Sequence, residues 1–444
     1  MNDRAHPELV RQRTRLSIWV RVGLAALLVA SLLTLIFVPT PGALLAVLWF
    51  WALLLIALAV SWRISGRARA AQERIEAIPP APLLEGDQPE VVREIMDVRA
   101  AITEGGLAIF RGTLREPAES AFQRLKQSLG ASFVPLLQED EQFGTAVILM
   151  PKPVEQATLE RPAVPWVNWL LFALTIGTTT WVGAAYQGVD LLQDPGRFAA
   201  GLPYSLGLLA ILGVHELGHF FAARRHGMNV TPPYFIPVPF ALGTFGAFIK
   251  MRSPPEDRES LFDVAVSGPL AGLVIAIPAL LVGLQSSEVI GRGLNVGHEA
   301  VVGSPTGPSI LFGLLAKASL GPQLLPGDVL RLSPLAFAGW LGLFITGLNL
   351  LPIGQLDGGH TARAMFGDRA GRTISTVALW ALFLLALLKW PSLMMWVIIV
   401  FFLAGRSTPP LNDLTPITRG RQVVGWITFA ILAMILIPMP SGWW

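Results

Sequence analysis

The chain is 444 residues long, 53% hydrophobic and only 14% charged, with a mean hydropathy of +0.57, which rules out water as its main solvent and points to a bilayer. Net charge is +3, so no nucleic-acid partner is suggested, and the basic residues read as topology signals. Cysteine is absent, which excludes disulfides and thiolate zinc sites and leaves His, Asp or Glu to hold any metal.

Two apolar stretches, about Val20 to Val38 and about Leu44 to Trp62, are each long enough to cross roughly 30 Å of hydrocarbon. Arg21 sits near an edge where it can snorkel. Arg4, Arg11, Arg13 and Arg15 precede the pair, and Arg63, Arg67, Arg69 and Arg74 follow it. Both flanks are therefore expected in the cytoplasm, and residues 1–64 form a transmembrane hairpin. The long apolar stretch behind a basic tail, with no clear cleavage site, argues against a cleaved signal peptide.

Residues 65–165 turn polar and read as a small α+β cytosolic domain. Leu107–Gly112 alternates like a strand, Glu116–Leu129 places Ala121, Leu125 and Leu129 at helical spacing, and Phe133–Leu137 and Ala146–Met150 read as two further strands. Proline-rich linkers, Ile78–Pro82 and Pro151–Pro165, flank this β-α-β-β module. Its role as a binding or positioning element, or as a spacer, stays open.

The rest, 166–444, reads as a membrane core. Trp166 to Tyr186 crosses outward and about Pro203 to Arg225 returns, with Arg224 and Arg225 on the cytoplasmic side and Gly227 as a stop. Inside the returning helix lies His215-Glu216-Leu217-Gly218-His219. Histidines at i and i+4 share a helix face and can grip one zinc ion at about 2.0–2.1 Å per nitrogen. Glu216 then stands beside the metal's open position, where it can take a proton from a water that attacks a peptide bond. This is the HExxH arrangement of a metalloprotease. On an ordinary charged helix the same residues would merely face water. Here the flanks are apolar, and an ionisable group in a membrane helix costs roughly 2.5–3.5 kcal/mol on insertion scales, so three polar groups need a compensating role.

The prolines of Thr231–Phe240 forbid a regular spanning helix, and Gly243–Met251 alternates like a strand. Irregular backbone at membrane depth is tolerated where it is buried in protein or lines a wet cavity. A re-entrant hairpin lining the site is therefore expected, its edge free to hold an unwound substrate by strand addition; an ordinary surface loop is the alternative. A span over about Leu261 to Leu284 carries the small-xxx-small contact Gly268-Pro-Leu-Ala-Gly272. Gln285 to Pro334 is Gly/Pro-rich and external, with Ser309–Leu320 apolar but too short to span.

A span from near Leu335 closes in Leu348-Asn-Leu-Leu-Pro-Ile-Gly-Gln-Leu-Asp-Gly-Gly-His360. Asp357 follows a chain break at Pro352 and Gly354, on the same side as His215 and His219. Three protein ligands plus a water is the usual catalytic zinc site, and His-His-Asp meets it with one Zn2+ per chain. The alternative is that Asp357 only caps a helix starting at Gly358. Thr373 to about Ala404, a hairpin through Lys389–Pro391, and Val423–Ile437 complete the chain. Arg363, Arg369, Arg372, Arg406, Arg419 and Arg421 again mark the cytoplasm, which leaves the C-terminus outside. His226 reads as a cation at a helix C-terminus. His360 either supports the ligands or faces solvent, and His6 and His298 fall in the tail and the external loop.

These residues resemble the site-2 protease family, zinc metalloproteases that cut transmembrane segments of other proteins. Members pair an HExxH helix with a later Asn-x-x-Pro-x-x-x-Leu-Asp-Gly segment, here Asn349 to Gly358. The likeness extends through Gly243–Gly246, Arg258–Phe262 and Ser267–Pro269, covering roughly Trp166 to Asp413. Gly105–Arg115 and Pro410–Asp413 resemble the plant-chloroplast branch named for ethylene-dependent gravitropism-deficient yellow-green mutants. The resemblance implies that His215, His219 and Asp357 hold zinc and that Glu216 is the general base. It also places Asn349 near the scissile carbonyl, where the amide donates to the developing oxyanion or serves as a packing hydrogen bond. No PDZ or CBS module is recognisable.

The expected whole is an all-α polytopic membrane protein of about eight spans, with a re-entrant hairpin near the active site and a small α+β cytosolic domain. It is expected to hydrolyse transmembrane protein substrates within a lipid bilayer, the plasma (inner) membrane, with N-terminus and active site cytoplasmic. Two other readings are a metal-ion transporter, for which internal repeats are not visible, and a catalytically silent membrane chaperone. Oligomeric state leaves no sequence signal.

Overall fold

The computed structural model describes residues 89–104, 107–140, 142–152, 165–239, 241–290, 301–302, 308–324, 328–388, 394–403 and 409–439. The hairpin expected over 1–64, most of both proline-rich linkers, the turn at Lys389–Pro391, His6 and His298 lie outside the described residues.

The polar segment opens with a short helix α1 (Glu90–Ile95), then β1 (Met96–Glu104), β2 (Leu107–Leu114), α2 (Ala118–Leu129), β3 (Phe133–Asp140) and β4 (Gly144–Pro151). The strands form an antiparallel sheet in the order β1-β2-β4-β3. Along β2 the side chains alternate, so Ala108 and Phe110 enter the core, and α2 covers them with Ala121, Phe122 and Leu125 at helical spacing. The four expected elements are present, and α1 and β1 are additions. β1 escapes pattern reading because it is an edge strand whose register shifts between Val98 and Ala100, which breaks the alternation.

The membrane core continues with α3 (Pro165–Tyr186), a 3-10 turn at Pro195–Gly201, α4 (Leu202–Arg225), a hairpin of β5 (Tyr234–Pro237) and β6 (Thr244–Phe248), and α5 (Arg258–Gln285). Then come β7 (Glu288–Ile290), β8 (Val301–Val302), α6 (Ile310–Leu320), β9 (Val329–Arg331), α7 (Pro334–Asn349), α8 (Asp357–Leu388), α9 (Met394–Leu403) and α10 (Arg419–Leu436). Among the described residues five helical stretches are long and apolar enough to cross a membrane: Trp166–Tyr186, Pro195–Arg225, Arg258–Gln285, Asp357–Leu388 and Arg419–Leu436. The protein is thus mostly helical with small sheets.

Three features differ from the sequence reading. The span expected from Leu335 is a helix of 16 residues, about 24 Å long, shorter than the hydrocarbon core. The Gly/Pro-rich segment forms a three-stranded sheet, order β7-β9-β8, from strands too short to show a period. The first arm of the hairpin expected from Thr373 belongs to a longer helical stretch that begins at Asp357 and breaks at Gly367, whose φ of 85° places it in the left-handed region that glycine tolerates.

α5 is the hub. Its N-terminus is closed by a capping box, in which the Asp257 carboxylate accepts from the Ser260 N–H at 2.7 Å and the Asp257 N–H donates to the Ser260 hydroxyl at 3.1 Å. Glycines let its neighbours come close: a Cβ on Gly339 of α7 would lie 2.6 Å from the Leu280 nitrogen, and one on Gly283 only 2.2 Å from the Ala336 nitrogen.

Candidate metal centre

α4 is apolar along most of its length; His215, Glu216 and His219 are buried within it, whereas Arg224 and Arg225 at its end are exposed. Helical spacing brings the two imidazoles onto one face with their Nε2 atoms 3.1 Å apart. Asp357 comes from the other end of the core. The chain leaves α7 at Asn349, turns through Gly354 at φ 52°, and is held there by the Gly354 N–H donating to the Ser375 hydroxyl at 2.8 Å. A Cβ on Gly358 would fall 1.9 Å from the Leu350 carbonyl oxygen, so this return into α8 requires glycine directly after Asp357.

The fold places Asp357 Oδ2 3.4 Å from His215 Nε2 and 3.3 Å from His219 Nε2. Four ligands placed tetrahedrally about 2.0–2.1 Å from a zinc ion stand about 3.3 Å from one another. The three atoms of this chain, with edges of 3.1, 3.3 and 3.4 Å, match that triangle. Among the described residues it is the grouping of His, Asp and Glu able to hold a metal ion.

Supporting contacts orient the donors. The Val264 carbonyl of α5 lies 2.7 Å from His219 Nδ1, which leaves Nε2 free to face the centre. A Cβ on Gly268 would sit 2.1 Å from His219 Nε2, and one on Gly272 would touch His215 at 3.3 Å. The small-xxx-small pair of α5 is therefore the floor on which both imidazoles rest. Glu216 Oε1 is 4.0 Å from His215 Nε2, and the backbone of Ile249 reaches its carboxylate from the hairpin. Asn349 Nδ2 stands 3.4 Å from His215 Nε2. His360 also lines the cavity, its Nδ1 buried without a hydrogen-bond partner among the described residues. His226, by contrast, leaves the site and pairs with Asp263 at 2.9 Å, which Arg421 also binds.

The cavity over these residues measures about 260 Å³, and Ala247, Phe248 and Ile249 form one wall. Among the described strands β6 pairs with β5 alone, and its Ala247 and Phe248 line the cavity. Polar groups of α3 and α4 pin this hairpin. Asn168 donates to the Pro232 and Pro233 carbonyls at 3.1 and 2.8 Å, Thr178 to the Gly243 carbonyl at 2.7 Å, and Tyr204 to the Leu242 carbonyl at 2.9 Å. The sequence reading passed over Asn168. An amide in an apolar span was the available signal.

Residues 203–388, which hold His215, Glu216, His219, Asn349 and Asp357, match the family model of Peptidase family M50. This segment is an M50 peptidase domain. Curated relatives extend the likeness beyond the M50 domain. The chain is 32% identical over 357 residues to the probable zinc metalloprotease EGY2, chloroplastic, of Oryza sativa subsp. indica, covering 76% of this chain and 62% of the relative. It is 29% identical over 358 residues to the Arabidopsis thaliana EGY2 protein (76% and 61%) and 29% over 370 residues to the Arabidopsis thaliana EGY1 protein (74% and 66%), both also named as probable chloroplastic zinc metalloproteases. The chain thus spans 62% of the length of the first of these relatives.

Proposed function

We propose that this protein is an intramembrane zinc metallopeptidase that hydrolyses peptide bonds in or near the transmembrane segments of other membrane proteins. The observation that carries the reading is the triangle of His215, His219 and Asp357, spaced for one zinc ion, beside Glu216 in a cavity with strand β6 at its wall. The M50 domain and the names of the relatives support it.

His215, His219 and Asp357 hold the metal, which when bound lowers the pKa of a water to about 7 and polarises a carbonyl. Glu216 takes the proton of the attacking water on its carboxylate and delivers it to the departing amine. Asn349 turns its amide N–H toward the oxygen that becomes negative as the carbonyl is attacked. Strand β6 at the cavity wall receives the substrate in extended form, so its helix must first unwind, and segments weakened by Gly or Pro near the cut are preferred.

In the proposed topology the chain makes about eight spans, with residues 1–64 a hairpin, 65–165 a cytosolic module and 166–444 the peptidase core. The β5–β6 hairpin is re-entrant. Arg224 and Arg225, at the end of α4 nearest the metal centre, argue for a cytoplasmic site in the plasma (inner) membrane.

The test is cleavage of a panel of single-span membrane proteins in liposomes. Glu216→Gln should keep one zinc per chain yet lose at least ~100-fold in rate, the lower bound for a positioned general base. Retained cleavage removes Glu216 from the mechanism, and zinc flux without cleavage would instead favour a transporter.

A further inference from the structure

Strand β3 is an edge of the polar module's sheet, and an edge strand exposes unpaired N–H and C=O groups. A segment remote in sequence covers it. The Leu137 N–H donates to the Leu411 carbonyl at 2.7 Å, and the Asp413 N–H donates back to the Leu137 carbonyl at 3.0 Å. The other side of the same segment bonds the chain leading into α5: the Leu411 N–H donates to the Pro255 carbonyl at 3.0 Å and the Asn412 N–H to the Glu256 carbonyl at 2.8 Å. Residues 411–413 thus bridge the module and the M50 domain by backbone hydrogen bonds.

Side chains lock both faces. Asn412 is fully buried and donates to Glu119 of α2 at 3.0 Å and to Thr415 at 2.7 Å, while Leu411 and Leu414 pack on the module's core. Lys126 of α2 pairs with Glu256 at 2.6 Å. Asp413 pairs with Arg363 of α8 at 2.8 Å.

Both helices reached in this way touch the metal centre. The 255–257 segment terminates in Asp257, the cap of α5, and α5 carries the Val264 carbonyl that orients His219 and the glycines beneath both imidazoles. Arg363 lies six residues beyond Asp357 on α8, and the Arg258 Nε of α5 donates to the Ala364 carbonyl at 2.8 Å, tying the two helices together.

We propose that residues 411–413 clasp the polar module to the M50 domain, and that Asn412 is a positioning residue that sets His219 and Asp357 through α5 and α8. The module is then a structural determinant of the donor geometry rather than a spacer. The consequence for cleavage rests on the function proposed above; the link from clasp to donor geometry does not.

The test uses the full chain with Co2+ as the metal, because the visible absorption of cobalt reports the arrangement of its ligands without any substrate. Asn412→Ala should shift that absorption and weaken retention of the metal against a chelator by about 10-fold, the scale for groups that orient ligands, with helix content unchanged. Glu119→Ala, a milder change at an exposed residue, should move both readouts less in the same direction. Since the chain has no cysteine, Glu119→Cys with Thr415→Cys can be joined by a short bifunctional reagent, and that bridge should restore the absorption of Asn412→Ala. An unchanged spectrum and affinity in both Asn412→Ala and Glu119→Ala would overturn the positioning role. Failure of the cysteine pair to bridge in the otherwise native chain would overturn the clasp itself. A shifted spectrum with no cleavage of any substrate by the native chain would leave the clasp standing and count against proteolysis.

Discussion

The polar module and the membrane core hold together by opposite means. In the module large side chains fill the space between helix and sheet, with Phe110, Phe122, Leu125 and Leu149 almost wholly removed from water, and burial of that surface is the driving force. In the core helices come close where side chains are missing, as at Gly268, Gly283 and Gly339, where an added Cβ would meet a neighbouring atom at 2.1, 2.2 and 2.6 Å. Lipid tails are as apolar as leucine, so helices in a bilayer gain little by hiding apolar surface from them and gain by close approach. The module should therefore be sensitive to making residues smaller and the core to making them larger.

Truncating Phe122 to Ala should produce the largest effect, about 3–5 kcal/mol lost from the module's stability, measured as a lowered denaturant midpoint for residues 89–152. A loss below that range would mean the module's core is looser than its burial indicates. In the core, the added methyl of Gly268→Ala falls on the His219 ring and should cost up to ~100-fold in metal affinity, read by zinc content after dialysis against a chelator. Gly272→Ala, whose Cβ would meet His215 at 3.3 Å, should cost about 10-fold at most. Equal effects at the two glycines would break the link between approach distance and function.

The smallest effect belongs to the junction of the two regions. Burial pushes the Asp413 carboxyl above the usual carboxylate range, against the opposing pull of the Arg363 guanidinium. The native state then holds this proton more tightly than the unfolded chain, so the group's contribution is present below the ordinary carboxylate pKa and is lost as pH rises through the raised value. Asp413→Asn should flatten the dependence of thermal midpoint on pH in the mildly acidic range, and an unaltered profile would exclude Asp413 as its source.

The HExxH helix and most helix boundaries were legible in the amino-acid sequence, because apolar length and i,i+4 spacing are local properties. Asp357 was legible as a candidate partner of the two histidines through its chemistry, a carboxylate after a chain break in an apolar setting, and the fold brings it beside them. β1, the small sheet of β7 to β9 and the break at Gly367 were not. Short or bulged strands carry no sustained period, and one glycine inside a helical pattern does not announce a left-handed residue.

Gly268-Pro-Leu-Ala-Gly272 shows the division within one motif. Its spacing declares a close helix contact, but only the packed structure decides that the contact is with His215 and His219. The same holds for Pro410-Leu-Asn-Asp413, whose residues advertise no partner until folding sets them between β3 and the start of α5. Sequence determined which segments are apolar and long enough to cross a bilayer and which side chains can bind a metal, since both depend on residue chemistry and short-range spacing. Tertiary structure decided which backbone carbonyl orients which imidazole and which edge strand is covered, since those depend on the distances between elements remote along the chain.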